Sequence, residues 1–515
     1  METRRQFLKE AAAVGASLLG PMAAGAPRRD SRPNIVLIMA DDMGFSDLGC
    51  YGGEIKTPNL DAIAAKGIRF TQFYNNAKCA PTRASLLTGL YSQAVGTGAM
   101  QRCITIAEAL REAGYRTLMT GKWHAAGIPT QRGFDRYFGL CDGCCNYFNP
   151  GRRRPGEPEP GRKWPNEKRR WAIENKEYRP YTPEDPKFYT TDAFTDYALR
   201  YLDQYAAEGK PFFLYLAYTA PHYPLHAWPE DIAKYRGKYL KGWDRLRRER
   251  HERMLAMGIV ERQWPLSPRD PRCPAWDDVD NKEEWDLKMA VYAAMIDRMD
   301  QNIGRLFAKL KQIGAWDNTL ILFLSDNGGC AENVNRTPRI PPGPMESYRT
   351  VDRPWANASN TPLRKYKRYD HEGGIATPLI AHWPAGIKNP GTLTHQVGHI
   401  IDIMPTCLEL AGAKYPETYR GKRILPLEGK SLVPILEGNE REGHDAIFWQ
   451  FSSARAVRQG KWKLVVDGKG PWELYDIEAD RTELHNLAEK YPEKVKELAA
   501  MWDRWAARVG ARRPR

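Results

Sequence analysis

Two acidic pairs have the residue types of a cation site: Asp41-Asp42, and Asp326-Asn327 within Ser325-Asp326-Asn327-Gly328. Together they offer three carboxylates and one amide, all oxygen donors, which suit a hard cation and calcium foremost. Each pair directly follows an apolar run, Asn34 to Ala40 and Thr319 to Leu324, so each can sit at the carboxyl end of a buried strand. Ligands of open α/β sheets gather at those ends. Taken singly, either pair also reads as an ordinary turn at a strand end. Zinc would need several histidines beside the carboxylates. His222 and His226 are four apart, but Pro224 between them argues against a helix that would put both on one face.

The elements that would position these residues follow from the apolar pattern. Asn34 to Ala40, Pro211 to Ala217 (PFFLYLA) and Thr319 to Leu324 (TLILFL) read as strands buried on both faces. Helix-like segments such as Ile104 to Ala113 and Ala290 to Ile313 separate them. The alternation predicts an α/β fold, a large mainly parallel sheet sandwiched by helices. The stretch from 150 to 186 is rich in Pro, Arg, Glu and Gly and reads as a surface excursion. A second, Arg- and Trp-rich stretch from 235 to 286 reads as irregular. Long loops in a compact domain are usually functional, so both are candidates for substrate recognition. Beyond Gly443, short strands at Ala446 to Phe451, Ala456 to Val457 and Trp462 to Val466 precede a helix from Pro492 to Val509, giving a small C-terminal antiparallel sheet with one helix.

Further motifs run along the chain: Cys79-Ala80-Pro81-Thr82-Arg83, Gly121-Lys122-Trp123-His124, Ala220-Pro221-His222, Pro362-Leu363-Arg364 with Glu372-Gly373-Gly374, Trp472-Glu473-Leu474-Tyr475-Asp476 and Leu484-His485-Asn486-Leu487. In this order, between Asn34 and about Ala488, the chain resembles the formylglycine-dependent, arylsulfatase-like sulfatases of the alkaline phosphatase superfamily. The resemblance implies an alkaline phosphatase-like fold and oxidation of the Cys79 thiol to the formylglycine aldehyde by a formylglycine-generating enzyme. The hydrated aldehyde carries two hydroxyls on one carbon. One attacks the sulfur of a sulfate ester and the other later expels the sulfate; a serine could do only the first half easily. The competing view of Cys79 is a small buried hydrophobe.

Residue by residue, the resemblance assigns one calcium ion to Asp41, Asp42, Asp326 and Asn327 together with the modified Cys79. A reacting sulfate ester spreads negative charge and needs fixed cations and a proton donor. Arg83, four residues after Cys79 and on the first turn of a helix running through Ala84 to Thr88, reaches back to the nucleophile and metal, and the helix N-terminus favours an anion. Lys122 binds the hydrate and sulfate, His124 holds or deprotonates the hydrate hydroxyl, His222 protonates the leaving oxygen, and Lys367 binds sulfate and assists departure. His226 is a pocket or structural residue. The chain departs from the family pattern at Lys365 and Tyr366, where many sulfatases have glycines, at His371, at Ala125-Ala126 and at Gln450 to Ser453; none is a proposed ligand.

At 515 residues and 42% hydrophobic content the chain can bury a large core, and fibrous or disordered classes are excluded. Lys and Arg exceed Asp and Glu by 77 to 63, a net charge of +14, which favours anionic partners. With the motifs, the expected partner is a sulfate ester, including sulfated glycans, and no nucleic acid. Thr3-Arg4-Arg5-Gln6-Phe7-Leu8-Lys9, the weakly apolar run Ala11 to Leu19 and Ala24-Gly25-Ala26 resemble a twin-arginine export signal too short for a stable membrane anchor. The expected organisation is a signal at 1–26, a catalytic α/β domain at 32–442 and a C-terminal subdomain at 443–515, in a periplasmic or secreted protein. Nine cysteines leave eight besides Cys79. Folding before export would keep most of them reduced, and the group Cys141, Cys144, Cys145 lacks the second ligand pair of a zinc site. The alternatives are a phosphonate monoester or phosphodiester hydrolase using the same oxidised cysteine, and a secreted glycan-binding protein without turnover.

Overall fold

A computed structural model describes residues 30–511; the twin-arginine-like segment lies outside the described residues. The first apolar run is strand β1 (Asn34–Asp41), whose alternate side chains enter two cores. Val36, Ile38 and Ala40 face one while Ile35, Leu37 and Met39 face the other, as the two-residue period of a strand requires. The other strands of the main sheet are β2 (Ile68–Tyr74), β3 (Arg116–Gly121), β4 (Arg136–Leu140), β5 (Trp171–Ile173), β6 (Lys176–Tyr178), β7 (Phe212–Pro221), β8 (Thr319–Ser325), β9 (Ala376–His382), β10 (Thr392–Thr394) and β11 (Gly398–His399). Their order is β10-β2-β9-β8-β1-β7-β3-β4-β5-β6, with β11 also on β2. The central strands are parallel, and antiparallel pairings enter at β9 and at β5 and β6. The helices Thr190–Tyr205 and Lys282–Gln312 cover one face, and the helices Cys79–Thr88, Ile106–Glu112 and Ile403–Ala411 cover the other.

Strand register decides what meets at the carboxyl edge. Ala40 pairs with Ser325 across β1 and β8, Met39 with Ala217 across β1 and β7, and Gly121 with Ala217 across β3 and β7. Four strands therefore end nearly level, and the residues that follow, Asp41, Asp326, Lys122 and the turn holding His222, emerge on one edge.

A two-stranded ribbon, β12 (Thr418–Tyr419) and β13 (Lys422–Arg423), precedes the C-terminal sheet of β14 (Ile447–Phe451), β15 (Ala454–Gln459), β16 (Trp462–Val466) and β17 (Glu473–Asp476), antiparallel throughout. The helix Pro492–Val509 packs Leu498, Trp502 and Trp505 on Val457, Leu464 and Leu474, and the same cluster takes in Tyr91 and Ile401 of the main body.

Two expectations need correction. The stretch from 235 to 286 is irregular only in part, chiefly over 257–281: it also holds the helix Gly242–Ala256 and the start of the long helix at Lys282. Its inward face is disguised by charge, because Arg247 and Arg250 are buried beside Trp243, Leu246 and Met254. Arg250 ion-pairs with Asp47 at 2.7 Å and Glu54 at 2.8 Å, so a polar residue occupies a core position and breaks the apolar period. The C-terminal sheet, expected with three strands, has a fourth, since Glu473–Asp476 pairs antiparallel with β16. The excursion from 150 to 186 is mostly loop, as expected, but it contributes the β5–β6 hairpin and buries Trp171 completely. All nine cysteines are unpaired and buried. No helix among the described residues is long and apolar enough to cross a membrane.

Candidate active site

The chain turns sharply after β1. Asp42 takes a left-handed backbone (φ 68°), which lets consecutive carboxylates point into one space. Its backbone N–H donates to Asp326 Oδ1 at 3.3 Å, Asn327 Nδ2 donates to Asp42 Oδ1 at 2.7 Å, and Met43 N–H donates to Ser325 Oγ at 3.1 Å. The two acidic pairs are thus stitched together. Asp41, Asp42, Asp326 and Asn327 are all buried. Asp41 Oδ1 and Asn327 Oδ1 are buried with no hydrogen-bond partner, the state of an oxygen that awaits a cation. Burial and the charge of Asp326 push Asp41 well above the ordinary carboxylate range, against Lys122 and Arg83. A divalent cation would hold the cluster ionised. Three carboxylates and an amide oxygen fit a hard ion.

Cys79 opens the helix Cys79–Thr88, and it lies 2% exposed. Its Sγ and one carboxylate oxygen each from Asp41 and Asp326 lie within 4.8 Å of one another. One turn later, Arg83 donates to Asp326 Oδ2 from Nε (3.1 Å) and Nη2 (2.8 Å), and its Nη1 donates to the Lys122 carbonyl at 2.9 Å. Lys122, next after β3, places Nζ 2.5 Å from Asp41 Oδ2. Lys367 Nζ reaches Asp42 Oδ1 at 2.6 Å. Burial opposes the charge of Lys367, but Asp42 holds its ammonium well above the ordinary lysine range. Conversely, burial opposes ionisation of Asp42, and His222, Lys367 and Lys78 more than offset it, so Asp42 titrates below its ordinary value.

The two histidines differ in anchoring. His222 Nδ1 lies 2.6 Å from the Tyr223 carbonyl, which only accepts, so the Nδ1 hydrogen is spent there and Nε2, 3.4 Å from Asp42 Oδ2, is the nitrogen left for proton transfer. His124 has a left-handed backbone (φ 55°) and a buried Nδ1 without a partner. Burial, then Lys122 and Arg83, push His124 well below the ordinary histidine range, so it is neutral. His226 stands apart: Nδ1 accepts from Tyr147 N–H at 3.3 Å and Nε2 donates to the Ser347 carbonyl at 2.8 Å, a fully satisfied structural histidine.

The sulfatase family model matches residues 33–413. The chain belongs to the sulfatase family. A second family model, N-sulphoglucosamine sulphohydrolase, C-terminal, matches residues 365–506 of this sulfatase. It is 33% identical to an uncharacterized sulfatase of Schizosaccharomyces pombe over 95% of this chain and 96% of the relative. It is 34% identical to an arylsulfatase of Klebsiella aerogenes over 83% and 97%. Among solved structures, Ps i-CgsB in complex with k-i-k-neocarrahexaose superposes with a TM-score of 0.68 at 27% identity, covering 92% of this chain and 93% of that one. The protein is a sulfuric ester hydrolase on a large, mostly parallel sheet with a small antiparallel C-terminal sheet and a final helix.

The structure adds polar groups at the mouth of the sulfatase site that motif reading passed over. Glu332, six residues beyond Asp326, accepts from Lys78 Nζ at 3.0 Å and from Tyr223 O–H at 2.6 Å. Although burial opposes it, Lys367 and Lys78 hold Glu332 at about 2. Both partners are sequence neighbours of site residues, Lys78 of Cys79 and Tyr223 of His222, which was the available signal. Lys365, where many sulfatases carry glycine, holds φ 66°. The left-handed backbone is thus retained without the residue that adopts it most readily.

Proposed function

We propose that this sulfatase is an exported enzyme that hydrolyses aryl sulfates or sulfated carbohydrates with a hydrated formylglycine made from Cys79, beside one calcium ion. The observation that carries the reading is the approach of Cys79 Sγ to Asp41 and Asp326 within 4.8 Å, at the start of a helix whose Arg83 is locked onto Asp326. Asp41, Asp42, Asp326 and Asn327, with the modified Cys79, would hold the calcium ion, which would supply positive charge against the sulfate oxygens. Arg83, Lys122 and Lys367 surround the same space with fixed charge that needs no reorganisation as the reaction proceeds. His222, its ring set by the Tyr223 carbonyl, delivers a proton from Nε2 to the leaving alcohol. His124, kept neutral by burial and by Lys122, accepts the proton of the second hydroxyl as sulfate departs. The catalytic unit is 32–442 and the C-terminal subdomain 443–515. A signal at 1–26 directs the protein to the periplasm or outside the cell, after a formylglycine-generating enzyme has acted.

Mass spectrometry of the peptide containing Cys79, from protein made in a host with the maturation system, is expected to find it about 18 Da lighter than its cysteine form, the difference between CH₂SH and CHO. A peptide wholly in the thiol form, from protein that hydrolyses sulfate esters at full rate, would refute the nucleophile. Dialysis against a chelator should lower both the melting temperature and the turnover of 4-nitrophenyl sulfate, with calcium restoring both. At a hundredfold excess over Kd, a ligand of the native state stabilises it by about 2.7 kcal/mol. An unchanged melting temperature and unchanged turnover after metal analysis has verified removal would dismiss the ion.

A further inference from the structure

Three concavities meet at one corner of the 150–186 excursion. A cavity of about 650 Å³ is lined by Lys367, Arg353, Arg368 and Lys163. Lys163 also lines a second, of about 1020 Å³, with Trp164, Lys168, Arg152 and Arg336. Trp164 and Lys168 continue into a third of about 650 Å³, which His124 also lines. Lys163 and Trp164 are therefore the shared wall between spaces that open on two site residues and one that leads away from them.

That wall has unusual chemistry. Trp164 is the most exposed large hydrophobic side chain among the described residues, at 53%. The Arg336 guanidinium lies 4.6 Å from its ring centroid and the Lys163 ammonium 5.8 Å. Carboxylates are present, but Glu167 is taken by Arg169 and Glu159 by Arg162. Among the described residues, none of the exposed Arg152, Lys168 and Arg336 or the half-buried Lys163 forms an ion pair with a carboxylate. Lys163 instead donates to Tyr223 O–H at 3.2 Å, which ties the corner to the turn that carries His222. An exposed indole is an apolar platform with weak solvation of its own, and unpaired cations around it select an anionic ligand with a flat apolar face.

We propose that Trp164, with Lys163, Lys168 and Arg336, is a subsite for a second sugar ring bearing a sulfate or carboxylate, so that the substrate is a polyanionic oligosaccharide engaged beyond the ring whose ester is cut. The inference rests on the sulfate ester reading above and deepens it. A pyranose stacks its apolar face on the indole while its anionic substituent meets the Arg336 and Lys168 charges. A small aryl sulfate in the space at Lys367 has no need of Trp164 or Arg336, neither of which lines that cavity.

The test separates the subsite from the reaction. In a Cys79→Ala background, calorimetric titration uses three hexasaccharides: a carrageenan (sulfated, neutral sugars), a chondroitin sulfate (sulfated, with uronate) and a polygalacturonate (uronate only). A ten-residue oligothymidylate is the fourth probe. At least one hexasaccharide is expected to bind, and Trp164→Ala and Arg336→Gln should each weaken it at least tenfold. With Cys79 intact, both substitutions should leave turnover of 4-nitrophenyl sulfate within twofold. Binding of the sulfated probes alone assigns sulfate to the subsite, and binding of polygalacturonate assigns carboxylate. Failure of all three hexasaccharides, unchanged affinity in both variants, a parallel loss of aryl sulfate turnover, or tighter binding of the oligothymidylate would each overturn the proposal. A protein that binds the hexasaccharides through Trp164 yet cleaves no sulfate ester would keep the subsite and discard the hydrolytic reading.

Discussion

Cys79→Ala is expected to fold like its parent and to lose sulfate ester turnover by about 10⁴-fold or more, equivalent to ~5 kcal/mol of barrier. The fold survives because the change removes one sulfur from the first turn of a helix whose N-terminus is already fixed by Arg83 on Asp326 and Lys122. The loss is large because Cys79 Sγ is the thiol that lies with carboxylate oxygens of Asp41 and Asp326 all within 4.8 Å of one another, at the start of the helix whose Arg83 is held on Asp326. Cys79→Ser sharpens the point. Its single hydroxyl can attack sulfur, but no second oxygen on that carbon can expel the sulfate, so a covalently held sulfate should accumulate on the serine peptide and turnover should stop after about one equivalent. Continued rapid turnover by either variant would remove Cys79 from the chemistry.

Lys463→Met is expected to destabilise the protein by about 3–5 kcal/mol, because it leaves buried carboxylates without their partner. Lys463 lies completely buried between Glu372 and Glu483, 2.8 Å from each. Glu372 also accepts from Tyr74 O–H at 2.9 Å and from Arg481 Nε at 3.2 Å, so one charged knot joins strands of both sheets. The pH dependence follows from Glu372. Burial opposes its ionisation, but Lys463 and Arg481 depress it from 4.5 to about 2. A depressed carboxyl contributes stability that is complete above about pH 4.5 and is lost as the pH falls through about 2. The gap between parent and variant, read from urea midpoints, should be wide at pH 7 and narrow steadily below pH 4.5. Lys496→Met, at an exposed pair with Glu493, serves as the control and should not move the midpoint. An equal, small shift for both would mean that the knot contributes nothing.

What could be read without coordinates was whatever rests on local pattern. β1, β7 and β8 are unbroken apolar runs, and the acidic pairs at two of their ends announced the shared edge because parallel strands in register finish together. The terminal helix, with Leu498, Trp502 and Trp505 on one face, begins and ends where its pattern does. The helix at Gly242 was hidden because its buried face carries Arg247, which donates to the Ser267 carbonyl and Oγ, and Arg250, whose neutralising partners Asp47 and Glu54 lie some two hundred residues away. Glu332 was hidden for the related reason that its importance lies in Lys78 and Tyr223, which only folding brings to it. Charge partnerships distant along the chain leave no periodic trace.

The depth of Cys79 constrains the order of events in making this protein. Pro81, Thr82 and Arg83 are as hidden as the thiol itself, and Arg83 is clasped from two sides. A tailoring catalyst that must grip this pentapeptide therefore has no handle on the finished molecule and has to work on nascent, still unfurled chain. If Cys79 is matured as proposed, tailoring comes first and collapse second, an order set by how tightly one short helix is tucked away.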